Sequence, residues 1–220
     1  MTAHDVARAL PDLPTLRERC RVFAMTDAVL SPEWDYRYFS FNQHWAPDQQ
    51  MASMRNGSGD EWSIVFSPAG AFLRGFDHEA RMSPYGNDGK LWPGLVDTVP
   101  EALRFGVDEP AFSNSLGTLA ATVCLWRETG DDHWHTGQVD LPDDDDPDGS
   151  AWLFELLLGG TAAVYQDFAE DYYEMPVDLD AVIEIFQQRP LTDGLVRRLN
   201  PEVALSDLAQ DIAQIGYPAL

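Results

Sequence analysis

The spacing of apolar residues changes character three times along the chain. Leu13, Leu16, Cys20, Phe23 and Ala24 recur at helical intervals, and Pro14 suits a first turn, so the first thirty residues read as helix. Ser31-Pro32 breaks that run. From there the pattern becomes short and β-prone. Tyr36–Phe41, Met51–Arg55, Trp62–Phe66 and Ala71–Phe76 are apolar or aromatic segments separated by turn residues. Ser67-Pro68-Ala69-Gly70 carries Pro at the second and Gly at the fourth position of a type I turn, and Asn56-Gly57-Ser58-Gly59 marks another. The expectation is an antiparallel meander over 36–76.

Residues 77–98 hold Pro84, Gly86, Gly89, Pro93 and Gly94, and read as loop. Thr98-Val99-Pro100-Glu101 has capping-box spacing for a short helix that closes near Gly106. Ala121–Glu128 and His133–Leu141 form a further expected hairpin, with Gly137 as a candidate bulge. Beyond Ser150 the pattern is helical again. Trp152–Leu158 predicts one helix. Val164, Tyr165, Phe168, Tyr172 and Tyr173 line a second, ended by Pro176. Leu179, Val182, Ile183 and Phe186 stripe a third behind an Asp178 cap. Leu208, Ile212 and Ile215 mark a last one, capped by Ser206 and stopped by Gly216. The order predicts an α+β fold over 1–220: an antiparallel sheet, meander plus hairpin, between an N-terminal helix and a C-terminal run of helices. Strands dominate 36–141 and helices 150–216, while 190–220 is a candidate appendage.

Charge narrows the partner classes. The chain carries 14 basic and 37 acidic residues, a net of −23. The second half, 111–220, holds 4 basic and 21 acidic residues, and no Lys or Arg falls between Glu128 and Glu184. Such a field opposes nucleic acid and anionic membranes, since both are bound through Lys and Arg. It favours a basic protein partner. The same charge would also serve solubility alone. Cys20 and Cys124 sit in apolar patterns and read as buried free thiols, which suits a reducing cytoplasm. No signal sequence and no apolar run of about eighteen residues is apparent.

Two patterns carry candidate metal chemistry. Asp144, Asp146, Asp148, Gly149 and Glu155 satisfy D-x-D-x-D-G-x5-E, the spacing of a calcium loop. Alternate carboxylates can converge on one cation, and the Glu can close the site. Against it stand a strand-like approach, Pro147 at the fourth position and Trp152 at the ninth. The alternative is an acidic turn feeding a helix N-terminus. His133 and His135 share one strand face and can share a transition metal, with His78 as a third ligand if the fold brings it near. The chain shows no nucleophile elbow, phosphate loop or zinc-protease motif, so no catalytic residue is assigned. Without the calcium of that loop, no cofactor is implied.

The candidate partner surface has two parts. One is the acidic run Asp143, Asp144, Asp145, Asp146 and Asp148. The other is the helix bearing Asp167, Glu170, Asp171, Tyr172, Tyr173 and Glu174, where aromatic anchors sit among carboxylates.

Met51–Trp62, Phe66–Gly70, His78, Met82–Tyr85, Trp92–Gly94 and Asp146–Ser150 together resemble an uncharacterised family of acidic bacterial cytosolic proteins, over roughly 36–174. In general character the chain is similar to immunity proteins of bacterial polymorphic toxin systems, although the defining patterns of the SUKH and SuFu superfamilies are not found. That resemblance implies an inhibitor that occludes a basic partner such as a nuclease toxin.

Overall fold

The N-terminal periodicity becomes two helices, α1 (Ala3–Ala9) and α2 (Leu13–Leu30). Asp12 caps α2 by accepting from the Thr15 amide at 2.9 Å, and Pro14 lies in the first turn, where its missing donor costs nothing. The computed structural model describes residues 1–218 apart from Leu116. A sheet follows in simple sequence order: β1 (Phe39–Ala46), β2 (Gln49–Arg55), β3 (Glu61–Ser67), β4 (Gly70–Phe76), β5 (Val123–Glu128) and β6 (His135–Thr136). Every neighbouring pair is antiparallel. Pro68-Ala69 makes the β3–β4 turn as expected. Gly70 closes it at φ +144°, where a side chain would run into the Arg127 carbonyl.

The sheet is covered on both faces. Trp62, Ile64, Phe66, Ala71 and Leu73 pack into the helical layer with Phe23, Leu157 and Ile185. Val65, Phe72, Cys124 and Trp126 pack against Met82, Leu95, Val99, Leu103 and Phe112 from the long segment between β4 and β5. This second layer explains why Trp62–Phe66 reads as a nearly continuous apolar run instead of alternating. Arg74 stands on that second face, 2% exposed. It donates to Glu61 Oε1 at 2.6 Å and to the Ala120 carbonyl at 2.8 Å, and its guanidinium lies 4.7 Å from the Phe112 ring centre. Arg74→Ala is expected to lower the unfolding free energy by about 3 kcal/mol in a urea titration, through lost volume and unpaired acceptors. Arg74→Met, which keeps the volume, is expected to recover part of that loss.

Residues 150–218 are helical, with corrections to the expected boundaries. The stretch expected as one helix is two: α3 (Ser150–Leu153) and α4 (Glu155–Gly159). The break is at Phe154, whose buried ring sits so close to Gly75 that a Cβ there would lie 2.7 Å from it. Next come α5 (Ala162–Tyr173), α6 (Leu179–Phe186), α7 (Asp193–Leu199) and α8 (Ala209–Ile215). α5 stops at Glu174, which turns left-handed at φ 52°, before Pro176 is reached. Asp178 caps α6 as predicted and Gly216 ends α8. Thr192 caps α7, which was too short for its periodicity to stand out.

Residues 190–218 are not an appendage. Leu195, Val196, Leu199, Leu208 and Ile215 belong to the main core, and the Tyr217 hydroxyl donates to the carbonyls of Ile185 and Arg189. Two other expectations fail locally. The turn at Glu101–Gly106 starts without a side-chain cap from Thr98. β6 ends at Thr136 and does not run on to Leu141, because Gly137 lies tight against the Gly94 and Leu95 carbonyls.

A carboxylate is buried among the residues of the main core. Asp27 of α2 is fully buried and accepts hydrogen bonds from the Tyr165 hydroxyl and, at 2.6 Å, from the Phe39 amide. It therefore ties α2 to α5 and β1. Burial pushes its carboxyl up from 3.8 to about 6, against the opposing pull of those hydrogen bonds. Among the described residues, no helix is long and apolar enough to cross a membrane.

Candidate functional site

The carboxylates of the calcium-loop pattern do not converge. Asp143, Asp144 and Asp145 are exposed. Asp146 turns back to accept from the Ala151 amide at 3.2 Å, and partial burial raises its carboxyl. Asp148 is buried, accepting from the Ser150 amide at 3.0 Å and from the Ala3 amide at 2.9 Å. Its two oxygens thus cap the starts of α3 and α1. Glu155 is exposed at the start of α4. The Gly149 turn forms as the pattern requires, at φ 78°, but the side chains around it serve backbone amides. This is the geometry of an acidic turn feeding a helix start.

His133 and His135 lie side by side, with ring centres 4.4 Å apart, but only His135 belongs to β6, so the shared strand face does not form. His133 pairs with Asp132, and His135 Nε2 lies 3.1 Å from Asp131. His78 is not brought to them. It follows the end of β4 that pairs with Val123, whereas His133 follows the end of β5 that pairs with Gly70. The two lie at opposite ends of the sheet.

His78 belongs to a different cluster. Among the described residues, Asp60, Asp77 and His78 form the one group of three whose ligand atoms lie within 4.8 Å of one another. The register Glu61↔Phe76 sets Asp60 beside Asp77 across β3 and β4. Asp60 Oδ1 accepts from the His78 amide at 2.9 Å and contacts His78 Nδ1 at 2.6 Å, while Oδ2 accepts from Asn56 at 2.7 Å. Asp77 accepts from the amides of Glu79 and Ala80 and from Trp152 Nε1 at 2.9 Å. Each oxygen already has a donor, and 2.6 Å is a hydrogen-bond separation. The arrangement is first a carboxylate that orients an imidazole, with Nε2 3.9 Å from Glu79 Oε1.

The hydrogen bond to Asp60 raises the His78 pKa above its ordinary 6.5. Burial works to raise Asp60, but the donors from His78 and Asn56 outweigh it and hold it low. In an NMR titration of the imidazole, Asp60→Asn is expected to move the His78 midpoint down toward 6.5. An unchanged midpoint would mean that the pair does not form in solution. Asp60 lies 18 residues from His78 along the chain, so no sequence spacing links the two. Only the β3–β4 register brings them together.

The α5 patch is partly outward. Asp167, Asp171 and Glu174 are exposed. Glu170 turns in to accept from the Val177 amide at 3.0 Å, and Tyr173 is half-buried, its hydroxyl 3.4 Å from the Tyr38 amide. Tyr172 is 37% exposed and stacks on Phe168. It has company that the sequence did not suggest. Trp34 (51%) and Tyr36 (67%) are also exposed, on a short helical turn where a strand was expected to begin. These are three of the six exposed large apolar side chains among the described residues; Tyr36 and Tyr172 share one groove, and Trp34 meets it only through Arg55.

Tyr36 and Tyr172 line a groove of about 500 Å³ with Asp35, Arg37, Arg55 and Glu174. Arg37 is buried and held by Asp211 at 2.5 Å. Arg55 lies 3.8 Å from the Trp34 ring centre and 3.8 Å from Asp35. Both basic groups are thus already engaged, and Glu174 and nearby Asp171 are left facing solvent. Glu33-Trp34-Asp35-Tyr36 carries the same mixture of aromatics and carboxylates as α5, but only the fold brings the two segments together.

Comparison with protein-family models, curated proteins and solved structures finds no match for this chain.

Proposed function

We propose that this chain is a binding protein that docks a basic protein segment in the groove between Trp34–Tyr36 and the end of α5. The observation that carries the reading is a groove lined by the exposed Tyr36 and Tyr172 beside carboxylates, with Trp34 stacked against its Arg55, in a chain of net charge −23. Exposed aromatics provide desolvated anchors, and the surrounding field speeds encounter with a cation-rich partner. The exposed Asp143–Asp145 run adds to that field without itself forming a pocket. The biological form we favour is an immunity or inhibitor protein, which would cover the Lys and Arg that a toxin such as a nuclease needs to grip nucleic acid.

The test is a peptide selection from a random displayed library, followed by association kinetics. Enriched peptides are expected to be rich in Arg and Lys, and their on-rates to fall steeply as the screening length shortens from about 30 Å to about 8 Å. On-rates insensitive to salt would remove the electrostatic part of the proposal.

A second reading rests on the Asp60–Asp77–His78 cluster, whose geometry could hold a transition metal if the Asp60–His78 hydrogen bond opened. Calorimetric titration with zinc and calcium decides it. A saturable heat lost in His78→Ala would support a metal module or metal-dependent hydrolase. No heat and no melting shift at roughly millimolar metal would exclude it.

A further inference from the structure

A second, larger cavity lies at the other end of the sheet from the docking groove. It encloses about 1080 Å³ between the start of α2, the β1–β2 hairpin and the β3–β4 turn. Its apolar wall includes Leu13, Trp45 and Phe66. Its polar lining includes Gln43, His44, Gln50 and two arginines, Arg17 and Arg127. Seven arginines of this chain hold a carboxylate: Arg8, Arg21, Arg37, Arg55, Arg74, Arg189 and Arg198. Arg17 makes no hydrogen bond or ion pair with any described residue, although it is half-buried and its Nε is shut off from solvent. Its guanidinium lies 5.6 Å from the Phe66 ring centre, so the charge is held against an apolar wall.

We infer that this cavity is a binding site for a small monocarboxylate with an apolar or aromatic body. A planar carboxylate matches the guanidinium fork of Arg17, and the body would lie on Trp45 and Phe66. The size is in the range of small-molecule sites, which pair apolar walls with a few polar groups. The rim selects for a single negative charge. Arg127 also lines the cavity, but its guanidinium donates to the Asp131 carbonyl and lies in the field of Asp12. Asp12 and Asp48 on the rim, within a chain of net −23, oppose dianions and polyanions. This inference is independent of the docking proposal, because no residue is shared between the two sites.

The test uses isotope-labelled protein and NMR titration with benzoate and octanoate. Benzamide serves as the neutral control and phenyl phosphate as the dianionic one. Both carboxylates are expected to shift the Trp45 indole and Arg17 Nε resonances saturably. Benzamide and phenyl phosphate are expected to bind at least about tenfold more weakly, the scale of one charge-assisted interaction. Arg17→Gln is expected to weaken benzoate about tenfold while leaving resonances outside the cavity in place. Arg17→Lys, which keeps the charge and loses the fork, should fall between and serves if the Gln variant does not fold. The inference is overturned if neither carboxylate shifts these resonances saturably, if benzamide binds as well as benzoate, or if both Arg17 variants bind benzoate like the wild type.

Discussion

Acidification from pH 7 to about 4.5 is expected to stabilise the wild type relative to Asp27→Asn by about 2 kcal/mol, or ~6 °C in melting temperature. The direction is opposite to that of a carboxylate held low by its partners. Asp27 is buried, with a folded-state value of about 6 against an ordinary 3.8. Between those values the native state keeps a proton that the unfolded chain has released. Stability from this group is therefore greatest at low pH and is lost as pH rises from about 4 through 6. Asp60 and Asp178, held below the ordinary range, push the other way and lose their contribution on acidification. Their effect is common to both proteins, so the difference between wild type and Asp27→Asn isolates the buried group. Parallel stability profiles would show that Asp27 titrates like an exposed carboxyl and that its environment is wetter than the fold implies.

The second large effect concerns the groove. Replacing both Tyr36 and Tyr172 with Ala is expected to weaken a selected basic peptide by about 3 kcal/mol, or more than a hundredfold, with the loss mainly in residence time. Tyr36 is 67% exposed, so its replacement alone should change folding stability by less than about 0.5 kcal/mol. Neutralising Asp171 and Glu174 should act differently. Both are exposed, so Asp171→Asn with Glu174→Gln should slow association and flatten its salt dependence, with a smaller change in affinity. Surface plasmon resonance separates the two patterns. Equal affinity for the wild type and the double tyrosine variant would remove the groove from the mechanism and leave only a diffuse negative field.

The sequence and the fold agree where local signals are strong. Ser67-Pro-Ala-Gly70, the Asp178 cap and the Gly216 stop each have a local cause, and each appears in its expected place. The α+β order was legible for the same reason, since helical and strand periodicities alternate cleanly along the chain. Failures cluster where distant segments decide. Phe154 breaks a helix because Gly75 leaves room for its ring, and nothing near Phe154 reveals that. The Asp144–Glu155 spacing fits a cation loop, yet Asp148 faces the Ala3 amide, 145 residues away. Asp60 finds His78 only through strand register. Half of the aromatic patch was visible on α5. Of the other half, Tyr36 opens the β-prone segment 36–41 in the sequence pattern, and Trp34 carries no local signal that places it.

Hydrogen–deuterium exchange with a selected basic peptide tests the central claim most directly. Bound peptide is expected to protect residues 34–37, 55–58 and 170–175, the segments that bring Tyr36, Arg55 and Tyr172 to the groove. Protection confined instead to the Asp143–Asp148 run or to the cavity around Trp45, or no localised protection at all, would contradict it.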